Sequence, residues 1–361
     1  MSEKLRIGII GCGGIANGKH MPALAKVKEV EMVAFCDIIP ERAEKAAKKF
    51  GTEDAKTYTD YKKLLEDKTI DIVHICTPNI CHSYMTVDAL EAGKHVMCEK
   101  PMAINTIEAK KMLDAAERTG KKLNIGYQNR QRPDTLYLKK EAEDGTFGEI
   151  YYARAIAIRR RAVPTWGVFL DEEKQGGGPL IDIGTHSLDL TLWIMNNHKP
   201  KYAVGTVYHK LNNEIHTGNI WGDWDPKAFT VEDSAFGFVV MENGATVFLE
   251  SSWALNHADP KEACTLICGT KAGADLWDGV RLNFIRNGRQ TIMEPSLSSG
   301  GVDFYEGADN NDPAFLEARK WIDSVINDTP TPVLPYEAYT ITRILDGIYE
   351  SAKTGKPVYF D

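Results

Sequence analysis

The sequence lacks an excess of positive charge. Of its 361 residues, 43 are Lys or Arg and 51 are Asp or Glu, which gives a formal net charge of −8. Proteins that bind the phosphate backbone of nucleic acids need a concentrated basic surface, so we expect no nucleic-acid partner. The sequence also has no apolar run of bilayer-spanning length, and its N-terminus carries no apolar core of a secretory signal. We therefore expect no membrane association.

Cysteine is scarce, and its number is odd. There are seven cysteines, and Cys36, Cys76 and Cys98 lie inside apolar strand-like runs, which is typical of small buried thiols. This usage favours a reducing compartment, and we expect a cytoplasmic protein. The chain also lacks internal repeats and low-complexity linkers. Since 361 residues exceed the usual single-domain size, two closely packed domains are expected.

The first 125 residues alternate between strand-like and helix-like segments. Apolar strand candidates lie at 5–10, 31–36, 71–76, 95–98 and 123–125. The helices between them end at Gly51, Gly93 and Gly120, as expected for glycine at helix C-termini. Strands that alternate with helices of this length predict a doubly wound parallel sheet, that is, a Rossmann domain over residues 1–125.

Residues 126–361 have a different pattern. Asn243-Gly244 separates two runs rich in strand-forming residues, 233–240 and 245–252, which indicates a β-hairpin. Further strand candidates lie at 150–158, 265–268, 274–277 and 281–286, and helix candidates at 179–196, 313–326 and 337–353. We predict a second α/β domain with a large open, mostly antiparallel sheet.

A glycine loop follows the first strand candidate and precedes a helix. It matches the G-x-G-x-x-A pattern of dinucleotide-binding loops at Gly11, Gly13, Gly14, Ile15 and Ala16. Glycine lets a pyrophosphate approach the backbone N–H groups at the positive end of a helix.

Asp37 ends the second strand, where a carboxylate accepts both ribose hydroxyls of NAD and repels the 2′-phosphate of NADP. We predict NAD as cofactor, although Arg42 is close enough in sequence to keep NADP open.

A helix candidate carries three polar side chains at spacings of four and three. Asp182, His186 and Asp189 would share one face of that helix. The residues alone leave other interpretations open: Asp182 as a charge that stabilises a first turn, His186 as a satisfied half-buried histidine, or a metal site. No third metal ligand stands at a typical spacing, so we predict no metal.

In this order and spacing, these segments resemble the Gfo/Idh/MocA family of oxidoreductases (glucose–fructose oxidoreductase and inositol dehydrogenase). The resemblance covers nearly the whole chain. It rests on the glycine loop, Thr77-Pro78-Asn79 with His82, Glu99-Lys100-Pro101, the triple glycine 176–178 before Asp182 and His186, and Val231-Glu232-Asp233.

The resemblance implies a function for several of these residues. Thr77, Pro78, Asn79 and His82 would line the ribose and nicotinamide side of the cofactor, and Glu99 and Lys100 would border nicotinamide and substrate. The implied catalytic set is Lys100, Asp182 and His186. The resemblance also implies that the open sheet of the second domain forms the interface of a homo-oligomer, a dimer or a tetramer.

The residues fit the oxidation of a secondary alcohol, in which a proton and a hydride leave the substrate. His186 would accept the hydroxyl proton, and Asp182 would orient the imidazole and favour its cationic form. Lys100 would hydrogen-bond the reacting oxygen. The alternative for Lys100 is a surface lysine before a proline.

Loop residues supply further candidates for substrate binding. Gln128 follows the last Rossmann strand, as do Asn124, Tyr127 and Asn129. Arg159 and Trp166 offer fork donors and an aromatic face for a sugar ring, although an exposed strand end explains them about as well. The segment 221–225 either caps the pocket or packs against another subunit.

We predict an NAD-dependent dehydrogenase for a sugar, a sugar derivative or an inositol-like cyclic polyol. Two alternatives remain. One is a glycosidase that oxidises its substrate transiently with bound NAD, and the other is a sugar-sensing regulator without catalysis.

Overall fold

The computed structural model describes residues 4–214, 216–297 and 312–360. The described chain divides into two compact units. The first holds residues 4–131 and 312–339, and the second holds the remaining described residues. These units differ from the predicted division at residue 125 in their C-terminal part, because a helix far along the chain belongs to the first unit.

The first unit is built on a six-stranded parallel sheet in the order β3-β2-β1-β4-β5-β6. Its strands are β1 (Leu5–Ile10), β2 (Val30–Cys36), β3 (Lys56–Tyr58), β4 (Ile72–Ile75), β5 (His95–Cys98) and β6 (Leu123–Ile125). The central strands β1 and β4 are mainly apolar because helices cover both faces of a parallel sheet. The strand order reverses between β1 and β4, and ligands bind outside the carboxyl ends of the strands at such a point. The prediction of a Rossmann domain is confirmed.

The first five helices of this unit alternate with its strands along the chain. They are α1 (Met21–Leu24), which continues a π-helical turn at Ala16–His20, α2 (Pro40–Phe50), α3 (Tyr61–Leu65), α4 (Asn79–Glu91) and α5 (Thr106–Thr119). Asn105 caps α5 by accepting the N–H of Glu108 at 2.9 Å.

A late helix, α9 (Pro313–Ile326), completes the core of the first unit. Its Trp321 and Ile322 are fully buried in one apolar cluster with Ile7 and Phe35 from the sheet. The sequence predicts this helix with the observed bounds but assigns it to the second domain. Its amphipathic pattern shows that one face is buried, but it does not show against which hydrophobic core that face packs.

The second unit contains a nine-stranded sheet in the order β14-β13-β12-β11-β7-β10-β9-β8-β15. Its strands are β7 (Ile150–Ile158), β8 (Pro200–Tyr208), β9 (Ser234–Met241), β10 (Thr246–Ser252), β11 (Cys264–Gly269), β12 (Ala272–Asp275), β13 (Arg281–Arg286), β14 (Arg289–Met293) and β15 (Val358–Tyr359). β7 and β10 pair in parallel, and every other pair is antiparallel. The predicted mostly antiparallel sheet is confirmed, whereas β8, β14 and β15 had no sequence prediction.

The helices of the second unit pack on one side of this sheet. They are α6 (Pro133–Glu143), α7 (Glu172–Gln175), α8 (Thr185–Met195) after a π-helical turn at Leu180–Gly184, and α10 (Pro335–Thr354), whose first residues belong to the first unit. Ile348 packs against β8 and β9 where Gly205 and Gly237 leave room for its side chain. Among the described residues, no helix is both long enough and apolar enough to cross a membrane.

Candidate active site

The glycine loop contains two kinds of glycine. Gly11 has φ +88°, and a Cβ there would lie 2.5 Å from the carbonyl oxygen of Cys76, so the fold itself requires glycine. At Gly13 and Gly14, an added Cβ would meet no protein atom within 4 Å, and neither residue has a positive φ. The chain therefore does not need glycine at these two positions. Their open space fits the close approach of a pyrophosphate to the backbone, with the helix beginning at Ala16.

Asp37 holds the glycine loop in place. Its two carboxylate oxygens accept the backbone N–H groups of Cys12 and Ile39, each at 2.9 Å. Asn17 adds bonds from its amide to the carbonyl oxygens of Cys12 and Gly13 at 2.8 and 3.0 Å. From the end of β2, Asp37 thus fixes the conformation of the glycine loop. The sequence predicts a role for Asp37 in binding the ribose, but not this structural role.

His82 connects the segments that follow β4 and β5. Its ring nitrogens lie 2.9 Å from the carbonyl oxygen of Thr77 and 2.8 Å from that of Pro101. Burial lowers the pKa of His82, and a neutral ring donates to only one of these carbonyls. Thr77 and Asn79 are half-buried and Pro78 is exposed, whereas His82 is fully enclosed. His82 thus links the segment after β4 to the segment after β5.

Glu99 is the centre of a buried charge network that the sequence analysis missed. Its Oε1 lies 2.5 Å from Nζ of Lys19 and 2.6 Å from Nε2 of His20, and its Oε2 accepts the backbone N–H of Lys100 at 3.1 Å. Lys19 also pairs with Oε2 of Glu317 on α9 at 3.1 Å. No sequence signal joins these residues, because they come from three distant segments and meet only after folding.

The side chains in and next to this network have pKa values shifted in different directions. Burial opposes ionisation of Glu99, but the charges of Lys19 and His20 hold its pKa well below the ordinary value. Burial raises the pKa of Glu317, and Lys19 offsets this only in part. Burial and the neighbouring His20 keep the pKa of His74 well below its ordinary value, and the Nδ1 atoms of the two histidines lie 3.0 Å apart. Glu99 is thus held as a carboxylate directly behind the Lys100 backbone.

The residues within and just after β6 differ in their access to a ligand. Asn124 is fully buried, with its oxygen accepting the N–H of Val333 at 2.9 Å and its nitrogen 3.0 Å from Sδ of Met97. Tyr127 is also buried. The expectation that these two meet substrate hydroxyls is wrong, because the protein interior encloses them. Gln128 is half-buried and accepts from Nζ of Lys19 at 3.3 Å.

In the second unit, Asp182 and His186 lie on the predicted helical segment, which begins as a π-helical turn. Both side chains are half-buried, and Oδ2 of Asp182 accepts the indole N–H of Trp253 at 3.0 Å. Asp189 is fully buried, so it does not share the access of the other two. Single π-helical turns occur frequently at functional sites.

Glu232 anchors the triple glycine in front of this helix. Its carboxylate accepts the N–H groups of Gly178 and Leu180 at 2.7 and 3.1 Å and the hydroxyl of Tyr349 at 2.8 Å. A Cβ at Gly178 would lie 2.3 Å from the carbonyl oxygen of Glu232. This contact gives a physical reason for two sequence motifs that lie more than fifty residues apart.

Burial lowers the pKa of Arg159, but its hydrogen bonds with Glu262 and the negative charges of Glu262 and Asp182 raise it above the ordinary value. The guanidinium forms two hydrogen bonds of 2.6 Å to Glu262 and stacks on the ring of Trp221 at 5.5 Å. Its fork is therefore engaged by the protein itself. Trp166 is 51% exposed.

No group of three or more His, Cys, Asp or Glu side chains in the described residues is arranged to hold a metal ion. The seven cysteines are free thiols, and the three predicted to be buried, Cys36, Cys76 and Cys98, are buried.

A parallel sheet with a glycine loop after β1 and an acidic residue after β2 defines a dinucleotide-binding domain. Residues 5–127 match the model of the GFO/IDH/MocA oxidoreductase family with its NAD-binding Rossmann fold, and residues 135–275 match the GFO/IDH/MocA C-terminal domain. The chain belongs to this family, as its motifs predicted.

Named relatives span the chain. A D-glucoside 3-dehydrogenase of Escherichia coli K12 is 36% identical over 99% of this chain and 98% of its own length. An inositol 2-dehydrogenase of Salmonella paratyphi B is 32% identical over 75% of this chain and 74% of its own. Levoglucosan dehydrogenase in complex with NADH and L-sorbose shares the fold, with a TM-score of 0.83, 22% identity and 99% of each chain covered.

Proposed function

We propose that this protein oxidises a secondary hydroxyl of a sugar, a glycoside or a cyclic polyol with NAD. The observation that carries the proposal lies in the first unit. There, Lys100 leaves β5 at the same sheet edge as a glycine loop whose Gly13 and Gly14 have open space around them. Relatives named as dehydrogenases of glucosides and inositols support the substrate class.

Three side chains carry the reaction in this proposal. His186 accepts the proton of the hydroxyl, because imidazole titrates near neutral pH. Asp182 favours the cationic imidazole, and Trp253 fixes the carboxylate through its 3.0 Å hydrogen bond. Lys100 donates to the reacting oxygen as negative charge develops on it. NAD, when bound, takes up the hydride.

The remaining site residues bind and orient. We infer that Gly11 to Ala16, Asp37, Thr77, Pro78 and Asn79 hold the cofactor, while His82 and Glu99 position the segments on which the cofactor rests. Gln128, half-buried beside Lys19, and Arg159, whose guanidinium is influenced by the charge of Asp182, are inferred to border the substrate. Because two N–H groups of its guanidinium already donate to Glu262, Arg159 acts on the substrate through its positive charge more than through hydrogen bonds.

The cofactor preference provides a first test, in the variant Asp37→Asn. We expect about a tenfold or greater rise in KM for NAD with a smaller change for NADP, because a carboxylate repels the 2′-phosphate and an amide does not. The control is Asp71→Asn. Asp71 also accepts a backbone N–H, that of Arg6 at 2.8 Å, but lies at the start of β4, on the opposite sheet edge. An unchanged NAD to NADP ratio in Asp37→Asn would contradict this role.

The function itself is tested by following NADH formation with NAD and a panel of glucose, methyl glucosides and inositols. We expect steady NADH accumulation with at least one of them. Glycoside cleavage without net NADH would replace the proposal by transient oxidation and elimination. Binding of NAD and sugar without any turnover would replace it by a sensor.

We also propose that the protein is a homo-oligomer that acts in the cytoplasm. On the side of the nine-stranded sheet away from α10, Phe248 contacts Tyr152 and Phe238 at ring distances of 5.9 and 5.2 Å and remains 37% exposed. A half-exposed aromatic sheet face is typical of an association surface. Seven free thiols fit a reducing compartment.

A further inference from the structure

Two exposed tryptophans lie in edge-to-face contact in the second unit. The rings of Trp166 and Trp221 are 4.9 Å apart at 83°, and they remain 51% and 41% exposed. Large aromatic side chains are normally buried, so an exposed pair indicates a surface kept for a ligand.

The pair is held rigidly by the loops that carry it. Asn219 accepts the N–H of Val163 at 2.8 Å and donates to the carbonyl oxygens of Val163 and Gly222 at 2.9 and 2.8 Å. Thr165 adds a bond from its hydroxyl to the carbonyl oxygen of Trp221 at 2.9 Å. The aromatic faces are therefore preorganised, which lowers the entropy cost of binding.

The pair is also connected to the proposed reaction centre. Trp166 contacts Phe169 at 5.8 Å, Phe169 contacts Trp253 at 6.5 Å, and Trp253 donates to Asp182. On the other side, Arg159 stacks on Trp221 and is influenced by the charge of Asp182. Ring contacts and one hydrogen bond thus join the exposed pair to the carboxylate that orients the base.

The surroundings of Trp166 combine apolar and hydrogen-bonding groups. Trp166 lines a groove of about 800 Å³, within the usual size of ligand pockets, together with Thr165, Asp171, Asp223 and Thr230. A pyranose ring offers an apolar C–H face and a rim of hydroxyls, which match an aromatic face and carboxylate acceptors respectively.

We propose that Trp166 and Trp221 form a subsite for a second sugar ring, linked glycosidically to the ring that is oxidised. The subsite rests on the proposed function, and it makes a disaccharide a better substrate than the free or methylated sugar. Stacking on the indole faces lowers KM for the disaccharide, while the chemistry at the first ring is unchanged.

The test compares a glucosyl disaccharide with a methyl glucoside of the same anomeric configuration, using the variants Trp166→Ala and Trp221→Ala with NAD. We expect KM for the disaccharide to rise about tenfold in each variant, as lost aromatic stacking predicts. KM for the methyl glucoside and kcat for both should stay within about twofold, since no reacting group is touched.

The matched control is Trp277→Ala. Trp277 is a half-buried tryptophan of the same unit that also carries an arginine, Arg154, at 5.8 Å from its ring. This variant should leave both KM values unchanged.

Three results would overturn the subsite. They are equal effects on both glycosides, a wild-type protein that does not prefer the disaccharide, and a loss of oligomer mass in the tryptophan variants, which would make the surface a subunit contact. If neither glycoside is oxidised, the proposed function fails separately. Quenching of tryptophan fluorescence by the disaccharide, and its loss in Trp166→Ala, then decides the subsite alone.

Discussion

Replacing Lys100 by Met should lower kcat for sugar oxidation by about a thousandfold, which corresponds to ~4 kcal/mol of transition-state stabilisation. Methionine keeps the length and apolar stem of lysine but cannot donate a hydrogen bond or carry charge. The interaction is strongest when the substrate oxygen becomes negative, so kcat should fall far more than KM rises.

Two measurements accompany this variant. NAD binding, followed by fluorescence titration, should stay within about threefold of wild type, since the cofactor is assigned mainly to the glycine loop and Asp37. Lys110→Met serves as control, because Lys110 lies exposed on α5, where it pairs with Asp114. A nearly normal kcat in Lys100→Met would remove Lys100 from the reaction.

Replacing Lys19 by Met should destabilise the protein by about 3–5 kcal/mol at neutral pH, because it leaves a buried carboxylate without its cation. The side chains of Glu99 and Glu317 are only 7% and 5% exposed, and both pair with Lys19. The measurement is urea unfolding followed by fluorescence, with the midpoint compared at constant slope.

The loss of folding stability in Lys19→Met should depend on pH in a defined direction. The folded-state pKa of Glu99 is held well below its ordinary 4.5, so its pairing stabilises the fold above that pH and is lost as pH falls toward the folded pKa. The difference between wild type and Lys19→Met should therefore be full at pH 7 and shrink below about pH 4.5.

A matched control is Lys56→Met. Lys56 pairs with Asp67 at 3.0 Å, but its side chain is 64% exposed, so solvent screens the pair and little or no change is expected. Equal stability of Lys19→Met and wild type at pH 7 would show that the buried network does not stabilise the fold.

Most secondary-structure elements could be predicted because their signals are local. β1, β5, β6, β7, β13 and the helix α9 have the predicted bounds, and α2 and α5 end directly before the glycines predicted to stop them. Short or weakly patterned segments such as β3 and β14 were missed, since three to five residues with exposed positions leave no clear periodicity. These two strands lie at sheet edges, where burial constrains the sequence least.

The candidate site likewise contains residues whose positions follow from local sequence signals and residues whose positions do not. Gly11, Asp37 and Lys100 follow strand ends, so their places at the carboxyl edge of the parallel sheet follow from chain order. Asn124 lies inside β6, opposite Met97, and was misjudged, because only its hydrogen bond with Val333 reveals that its amide is internal.

The sequence by itself determined a Rossmann sheet with a glycine loop, the family, and the order of the motifs, since each depends on residues close together along the chain. The tertiary structure alone decided that α9 completes the first unit, that Lys19 joins Glu99 to Glu317, and that Glu232 holds Gly178. These contacts join segments tens to hundreds of residues apart. Their free energy comes from burial and charge pairing, which a linear pattern does not encode.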